Sequence, residues 1–286
     1  AGRMDHANSA YELLSSANLE EAKKLAQNLQ QNNLDRQKLT ENIVKQAKEQ
    51  IEKEQINNNF LFVYGKDWPA GILGLVAGRL KDFYYKPVFV MTTNPDGDIV
   101  SSGRSISEFN ITENLQILEK LLIKYGGHPQ ACGLSIKPEN LEEFKQKILE
   151  LATKKLAGIE LTPQINIDAE VKLEDVDWKL YDLLEKFHPF GVGNEEPKYV
   201  AYGLEVVSAT PVGQNKNHLK IMVKHNSHII RKTIAFGFGD TQKHPEDFVS
   251  NLQPGAKIDM VFSIGVNEWN GNRELELKVE DIHLIK

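Results

Sequence analysis

The hydrophobic periodicity of the chain changes once, after Pro163, and this change limits the fold more than any other feature. Between residues 58 and 157, short apolar runs alternate with helical periodicity, as at 60–64 and 72–80. Such alternation predicts an α/β domain. After Pro163, period-two segments recur at 165–171, 199–209, 218–224, 229–236, 257–264 and 275–285. About five such strands, separated by turn signals such as Pro254-Gly255, predict a small antiparallel barrel.

Helices are predicted both before these regions and within them. Residues 5–30 and 34–56 have helical periodicity, and Asn18, three residues before Glu21, has the character of a fresh helix start. Further helices are predicted at 114–125, where Gly126-Gly127 would end the helix, and at 175–187. We therefore predict three parts, which are a helical linker at 1–57, an α/β domain at 58–157 and a β-barrel domain at 158–286.

Composition limits which cellular compartment and which ligands suit this chain. Cys132 is the single cysteine, which rules out an internal disulfide framework and suits a reducing cytoplasm. No apolar run approaches the roughly 18 residues of a membrane span, so we expect a cytoplasmic protein without membrane contact. The net charge of −6 argues against bulk electrostatic capture of nucleic acid.

The charge is unevenly distributed. Residues 206–239 contain no Asp or Glu, whereas the region after residue 159 carries the whole net charge. We expect one basic face on an otherwise acidic domain, and the alternative is that the acidic residues simply lie elsewhere on a solvated surface. The cationic residues of this stretch are Lys216, Lys220, Lys224, Arg231 and Lys232, with His218, His225 and His228 among them.

Two short motifs are candidates for phosphate binding. Gly126-Gly127-His128 combines residues that let a phosphate approach the main chain with an imidazole that can donate to it. Ser101-Ser102-Gly103-Arg104-Ser105 ends a strand, and a guanidinium beside hydroxyls can bind two phosphate oxygens. The alternatives are a glycine helix end followed by a surface histidine, and an ordinary polar turn.

Together, the two motifs resemble the DHH-associated domain of the DHH phosphoesterase superfamily. The segments at 2–7, 65–78, 190–197 and 267–271 are similar, in order, to four segments of RecJ-type exonucleases. These are the end of the catalytic DHH domain, the first strand–loop–helix of the associated domain, the entry to the OB domain and its late hairpin. The resemblance implies an α/β DHH-associated domain and an OB-fold barrel, joined by long helices.

The resemblance also implies a function, which is single-strand-specific 5′→3′ DNA exonuclease activity in DNA repair and recombination. Ser102 and Arg104, with Ser105, Gly126 and Gly127 beside them, match positions expected to hold the 5′-terminal phosphate. His128 matches a contact to the scissile phosphate, and Arg3 matches a further phosphate contact. Cys132 stands where the family suggests alanine, so a reactive thiol near the cleft is an open alternative.

The family's Asp-His-His motif is not in this sequence. The resemblance therefore implies that Mn²⁺ or Mg²⁺ binds in a preceding catalytic domain, that this chain holds no metal and that it is inactive alone. Expected partners are single-stranded DNA and a single-strand-binding protein or helicase. An enzyme acting on short oligoribonucleotides or cyclic dinucleotides, and a non-catalytic replication scaffold, stay open.

Base stacking is expected on the barrel, because OB folds bind single strands with exposed aromatic side chains and a basic groove. Trp269, in a turn rich in Asn and Gly, is the preferred platform, and Tyr202, Phe236 and Phe238 are further candidates. Lys216, Lys220, Lys224, Arg231 and Lys232 are the expected contacts to the DNA backbone.

Overall fold

The structure is a computed structural model that describes residues 8–225, 229–240, 244, 246–269 and 271–285. The chain divides into two compact units, Ala1–Pro163 and Gln164–Lys286. The limits that sequence reasoning placed after residues 57 and 157 stay predictions.

The first unit contains five helices and five strands among its described residues. They are α1 (Asn8–Ser15), α2 (Leu19–Glu54), β1 (Leu61–Tyr64), α3 (Ala70–Tyr84), β2 (Val88–Thr93), β3 (Ile99–Arg104), α4 (Ile111–Ile117), β4 (Leu122–His128), β5 (Ala131–Ile136) and α5 (Leu141–Lys155). Short 3₁₀ turns at Glu119–Leu121 and Pro138–Asn140 precede β4 and α5.

The first unit is a three-layer arrangement around one mixed sheet of order β1-β2-β3-β5-β4. The β1–β2 pair is parallel and the other pairs are antiparallel. Val88 and Val90 of β2 pack with α2 and α3, whereas Phe89 and Met91 pack on the opposite side with α4 and α5. This two-sided burial explains why the first four residues of β2, at 88–91, are all apolar.

Helix α2 begins where the sequence predicts, because the Asn18 side chain accepts hydrogen bonds from the backbone N–H of Glu20 and Glu21. The two helices predicted at 5–30 and 34–56 are instead α1 and one 36-residue helix. The buried residues of α2 are confined to its carboxyl-terminal half, at Thr40, Ile43, Ala47 and Ile51.

The predicted helix at 114–125 is wrong in its second half. The helix α4 ends at Ile117, and Leu122–His128 forms β4, paired antiparallel with β5. Residues such as Leu122 and Tyr125 suit either a helix or a strand, and the partner strand that decides between them follows only later in the chain. Gly126 and Gly127 therefore lie within a strand and do not end a helix.

The second unit contains six strands and two helices among its described residues. They are β6 (Ala169–Glu170), α6 (Trp178–Leu184), β7 (Tyr199–Val212), β8 (His218–Lys224), β9 (Ile230–Ala235), α7 (Phe248–Asn251), β10 (Lys257–Trp269) and β11 (Asn272–Ile285). The strand predicted at 165–171 is reduced to two residues, and the helix predicted at 175–187 begins at Trp178, after Asp177 caps it.

Five strands of the second unit close into a barrel. β7 pairs with β8, β8 with β9, β9 with β11 in parallel, β11 with β10, and β10 returns to β7. This is the strand order of an OB fold, so the predicted fold class is confirmed in both units. The interior is apolar, with Val206, Ile221, Phe262 and Leu277 among its buried residues. No described helix is long and apolar enough to span a membrane.

Candidate nucleic-acid interface

Ser102 and Arg104 lie on the face of β3 that α3 covers. The Arg104 Nη1 donates to the Gly103 carbonyl at 2.8 Å and to the Ser102 hydroxyl at 3.4 Å. Gly74 of α3 makes room for both, because a Cβ at this position would lie 3.1 Å from Arg104 Nη2 and from Ser102 Oγ. The guanidinium is thus held against the sheet with donors left over for a ligand.

Strand register brings the two predicted phosphate motifs together. Arg104 pairs with Ala131, and Ala131 pairs with His128, so all three lie in one row across β3, β5 and β4. With neighbouring strands about 4.8 Å apart, the Cα atoms of Arg104 and His128 are roughly 10 Å apart. In the next row, Ser102 pairs with Gly133 and Gly133 with Gly126. We call this surface, formed by Ser102, Arg104, Gly126, His128, Ala131 and Gly133, the sheet trough.

Small residues form the floor of the sheet trough. A Cβ at Gly126 would meet nothing within 4 Å, and one at Gly133 would meet only the Ser101 carbonyl, at 3.8 Å. Both glycines are exposed, as is His128. A ligand can therefore approach the main chain between the Arg104 and His128 side chains.

The two glycines of the Gly126-Gly127 pair have different roles. Gly127 has a φ of +152°, and a Cβ there would lie 2.2 Å from the Ala131 carbonyl oxygen. It allows the close β4–β5 pairing, whereas Gly126 opens the trough. His128 ends β4 and is not on a loop after a helix, and its carbonyl accepts a hydrogen bond from the Thr112 hydroxyl at 2.7 Å.

Two predicted features near the sheet trough are corrected by burial. Ser105 is buried and its hydroxyl donates to the Phe109 carbonyl at 2.6 Å, so this hydroxyl is committed within the protein. Cys132 is buried in the core on the opposite face of the sheet, where burial raises the pKa of its thiol to about 12. The alternative of a reactive thiol near the cleft is therefore wrong.

Three lysines of the barrel lie on one outer face of β8 and β9. Lys220, Met222 and Lys224 alternate with buried residues, and register places Lys232 beside Met222 and Ile230 beside Lys224. We call this surface, formed by Lys220, Met222, Lys224, Ile230 and Lys232, the barrel face. Outer strands 2 and 3 of an OB fold, here β8 and β9, are where such folds bind oligonucleotides.

The predicted basic face is not uniformly basic, because flanking strands supply carboxylates. Lys224 pairs with Glu205 of β7 at 2.8 Å, and Lys232 pairs with Glu274 of β11. Lys220 lies 3.9 Å from Glu276. The lysine partners hold the pKa of Glu205 and of Glu274 below the usual range. The barrel face is therefore close to charge balance.

The remaining barrel candidates separate into buried and exposed residues. Arg231 donates to the carbonyls of Leu173 and Val176, at 3.1 and 2.6 Å, so it fastens this segment to the barrel. Phe238 is buried and packs in the core, which removes it as a stacking platform. Exposed candidates are Phe236, Tyr202 and Lys216.

Phe236 is supported by a neighbouring histidine. The His218 ring meets it edge-on at 5.3 Å and accepts a hydrogen bond from the Gly237 N–H at 3.0 Å. Arg3, His228 and the side chain of Trp269 lie outside the described residues, so their predicted roles stay predictions.

The sequence analysis missed a cavity beside Arg104. Arg36 of α2 and Arg79 of α3 line, with Arg104, a cavity of about 340 Å³. The spacing of Gly74 and Gly78, four residues apart on one face of α3, is the sequence signal that indicates it. Within the described residues, no group of three or more His, Cys, Asp or Glu side chains could hold a metal ion.

Comparison with known proteins matches both units. Residues 57–154 match the DHHA1 domain family and residues 167–281 match the RecJ OB domain family. The chain is 28% identical to the single-stranded-DNA-specific exonuclease RecJ of Bacillus subtilis, covering 98% of this chain and 35% of that protein. It is 30% identical to the Salmonella typhimurium RecJ, covering 99% and 49%.

Solved structures agree on the fold. Crystal structures of RecJ from Thermus thermophilus, in complex with Mg²⁺ or with Mn²⁺, superpose on the whole chain with a TM-score of 0.74 and 22% identity. The chain covers 42% and 40% of these two structures. It spans between about a third and a half of the length of the relatives named here.

Proposed function

We propose that this chain, which belongs to the RecJ family through its DHHA1 and RecJ OB domains, is the strand-holding part of a single-strand-specific DNA exonuclease. In the complete protein, such an enzyme would hydrolyse phosphodiester bonds from the 5′ end during DNA repair and recombination. A single-strand-binding protein or a helicase as partner stays a prediction.

The row Arg104–Ala131–His128 is the observation that carries the proposal. Arg104 offers a planar set of donors suited to two phosphate oxygens, and the Ser102 hydroxyl lies beside it. His128, on the far side of the glycine floor, offers a single donor for a neighbouring phosphate. This spacing suits a strand that enters with its terminal phosphate at Arg104 and its next phosphate toward His128.

The barrel face would hold the strand beyond this end. Its lysines can follow the sugar–phosphate backbone, while Met222 and Ile230 between them offer apolar contact to bases. Exposed Phe236 is the described aromatic residue best placed to stack on a base, because it follows β9 directly. Single-strand selectivity would follow, because paired bases cannot stack on protein side chains.

The described residues do not fit a catalytic metal centre, so no hydrolytic step is assigned to them. RecJ-type phosphodiester hydrolysis would use Mn²⁺ or Mg²⁺ held by residues of a longer protein. The expected contribution of this chain is to bind and orient the strand.

Fluorescence anisotropy with a short single-stranded DNA, with and without a 5′-phosphate, tests the proposal. We expect the phosphorylated strand to bind more tightly, and we expect Arg104→Gln to remove this preference. The slope of log affinity against log salt should become shallower by about 0.7 for the lost contact. Lys154→Gln is the matched control, because Lys154 lies on α5, on the opposite side of the sheet.

Two outcomes of the anisotropy experiment would reject parts of this proposal. Equal binding of the two strands would reject the sheet trough as a phosphate site and leave only the barrel face. An absence of binding to either strand would reject the strand-holding function and favour the scaffold alternative.

A further inference from the structure

The loop between β7 and β8 meets the turn that follows β9, and together they present an exposed cation and an exposed aromatic side chain. We infer that Lys216 and Phe236 form a subsite for one unpaired nucleotide, and that His218 is the positioning residue that holds Phe236 ready to stack on the base. We call these three residues the loop subsite. The inference rests on the proposed function and adds to it a positioning residue and a defined contact for a single nucleotide.

Strand register places the loop subsite at the end of the barrel face. The β8–β9 ladder ends with the pair Leu219 and Ala235, so the next position of each strand brings His218 opposite Phe236. His218 has the same strand parity as Lys220 and therefore lies on the same outer face. Phe236 is 61% exposed, so its ring is available to a ligand that lies on this face.

His218 fixes the turn that carries Phe236. The Gly237 N–H donates to His218 Nδ1 at 3.0 Å, and the two rings meet edge-on with their centroids 5.3 Å apart. Gly213 makes room for the imidazole, because a Cβ at this position would lie 3.1 Å from His218 Cδ2. The aromatic platform is thus held before a base arrives, which lowers the entropic cost of binding.

A second contact joins the loop that carries Lys216 to the same turn. The Gly239 N–H donates to the Asn217 carbonyl at 3.0 Å, and a Cβ at Gly239 would lie 2.3 Å from the Lys216 carbonyl oxygen. Lys216 has a φ of +56°, which is an unfavourable backbone conformation for a residue with a side chain. Strained residues of this kind are concentrated at ligand-binding sites, so the strain at Lys216 supports a binding role for this loop.

Charge distinguishes Lys216 from the three lysines of the barrel face. Each of those three lies within ion-pair distance of a carboxylate on a flanking strand. Lys216 is exposed and makes no ion pair with any residue that the structure describes. Its ammonium group can therefore contact a phosphate without the loss of an existing pair.

Photocrosslinking tests the stacking geometry. The probes are short oligothymidylates that carry one 5-iodo-deoxyuridine at each position in turn, because this base crosslinks to an aromatic ring that lies against it. The protein is used well above the dissociation constant of each variant, so that a lost crosslink reports geometry and not affinity. We expect mass spectrometry to locate the crosslink at Phe236.

Two amide variants separate the acceptor of His218 from its bulk. The side-chain oxygen of His218→Asn takes the position of Nδ1 and can accept from the Gly237 N–H, whereas that of the longer His218→Gln lies near Nε2. We expect His218→Asn to retain the crosslink to Phe236 and His218→Gln to lose most of it at full occupancy. His283→Gln is the matched control, because His283 is an exposed histidine of β11 whose ring contacts Asp259.

Anisotropy with the unmodified strand tests whether His218 acts through Phe236. Phe236→Ala should weaken binding roughly tenfold, as expected for the loss of one stacked base. His218→Gln should weaken binding roughly three- to fivefold in the wild-type protein and should add no further loss in Phe236→Ala. Losses that multiply in the double variant would overturn the positioning role, as would a wild-type crosslink in His218→Gln.

Lys216→Gly tests the cationic half of the loop subsite independently of His218. Glycine tolerates the positive φ, so the thermal melt of this variant should not fall. The slope of log affinity against log salt should become shallower by about 0.7, because one phosphate contact is lost. A Lys216→Gly or Phe236→Ala protein that folds and binds single-stranded DNA like the wild type would overturn the loop subsite.

The two proposals fail separately. An absence of single-stranded DNA binding by the wild-type chain would reject the proposed function, on which this inference rests. A strand that binds with a 5′-phosphate preference but gives no crosslink to Phe236 from any position would retain the function and reject the loop subsite. A crosslink to Phe236 without a 5′-phosphate preference would retain the loop subsite and reject the sheet trough as a phosphate site.

Discussion

At the scale of single residues, the neighbouring glycines of β4 should respond differently to substitution. Gly126→Val places a β-branched side chain into open space on a strand, so we expect stability to change by less than about 1 kcal/mol. Gly127→Ala forces a Cβ against the Ala131 carbonyl at an unfavourable φ, which should cost about 2 kcal/mol or more.

Chemical denaturation measures the two stabilities, and titration with thymidine 5′-monophosphate measures binding. The Gly126→Val protein should fold normally and bind the phosphomonoester more weakly, because valine occupies the floor of the sheet trough. Normal binding by this variant would show that the ligand does not approach the main chain there.

Cys132 provides a second prediction at this scale. Because burial raises the pKa of its thiol to about 12, the folded protein should hold a protonated thiol that reacts slowly with a disulfide reagent at pH 8. The unfolded thiol ionises near 9.0, so the stability that this group contributes is complete below pH 9 and is lost as the pH rises toward 12.

The measurement compares the rate of thiol modification in native protein with that in denatured protein at pH 8. We expect modification of the native protein to be limited by unfolding. A native rate close to the denatured rate would place the thiol at the surface and contradict the described burial.

Residue roles were predictable from sequence only where the local motif decides them. Ser102 and Arg104 share a strand face because they are two residues apart, and this follows from strand periodicity alone. Arg231 was assigned wrongly because the carbonyls that it binds, at Leu173 and Val176, are more than 50 residues away in the chain. Hydrogen bonds to distant main-chain groups leave no local sequence signal.

At the scale of elements, the outer edge of β1 is covered by side chains from α2 and from Gln55, the residue that follows it. Gln55 both donates to the Phe62 carbonyl at 2.6 Å and accepts from the Phe62 N–H at 2.9 Å. Gln50 makes the same pair of contacts with Tyr64. The two amides take the place of a neighbouring strand and protect the edge from pairing with other chains.

We therefore expect Gln55→Ala to lower the free energy of unfolding by about 1 to 3 kcal/mol, because it leaves two partly buried main-chain groups unpaired. Gln31→Ala is the control, since Gln31 is an exposed residue of α2 whose side chain donates a hydrogen bond to Asp35 and not to the sheet. Denaturation gives the free energies, and hydrogen exchange at Phe62 should be faster in the Gln55 variant. Unchanged exchange at Phe62 would contradict this role.

The carboxylates beside the barrel face limit its attraction for nucleic acid. Glu274→Gln releases Lys232 from its ion pair, so we expect tighter binding of single-stranded DNA and a salt slope steeper by up to about 0.7. Glu280→Gln is the matched control, because Glu280 is exposed on the same strand and makes no ion pair among the described residues.

Anisotropy at two salt concentrations checks this prediction at neutral pH. Neutral pH keeps the Glu274–Lys232 ion pair intact. Because Lys232 lowers the pKa of Glu274, this pair is lost only when the pH falls below 4.5 and through that lowered value. An equal gain for both variants would mean that net charge matters and the specific pair does not.

Elements were predicted well where both faces of a strand or helix have a clear pattern. The period-two segment at 218–224 matches β8 at both ends, because buried and exposed residues alternate along it. β4 was mistaken for a helix because its buried face is incomplete and its glycines resemble a helix end. The acid-free stretch at 206–239 was interpreted as a basic face because the neighbours of a strand in a barrel cannot be identified from its own sequence.

At the scale of the whole molecule, the two units contain separate cores and carry different charges. The first unit has 20 basic and 21 acidic residues, and the second has 14 and 19. The phosphate-binding sheet trough proposed above lies in the near-neutral unit, whereas the barrel face lies in the acidic one. Local pairing of lysines, and not net charge, therefore governs the strand contacts proposed for the barrel.

We expect Gln164–Lys286 to fold by itself, because its barrel is closed by its own strands around its own buried residues. This unit should bind single-stranded DNA with equal affinity whether or not the strand has a 5′-phosphate. Ala1–Pro163 should bind thymidine 5′-monophosphate and show little dependence on the length of an attached strand.

Circular dichroism and thermal melting test folding, and anisotropy and calorimetry test binding. A 5′-phosphate preference in the isolated barrel unit would contradict the assignment of end recognition to the first unit. A barrel unit that does not fold would show instead that its core depends on contacts outside Gln164–Lys286.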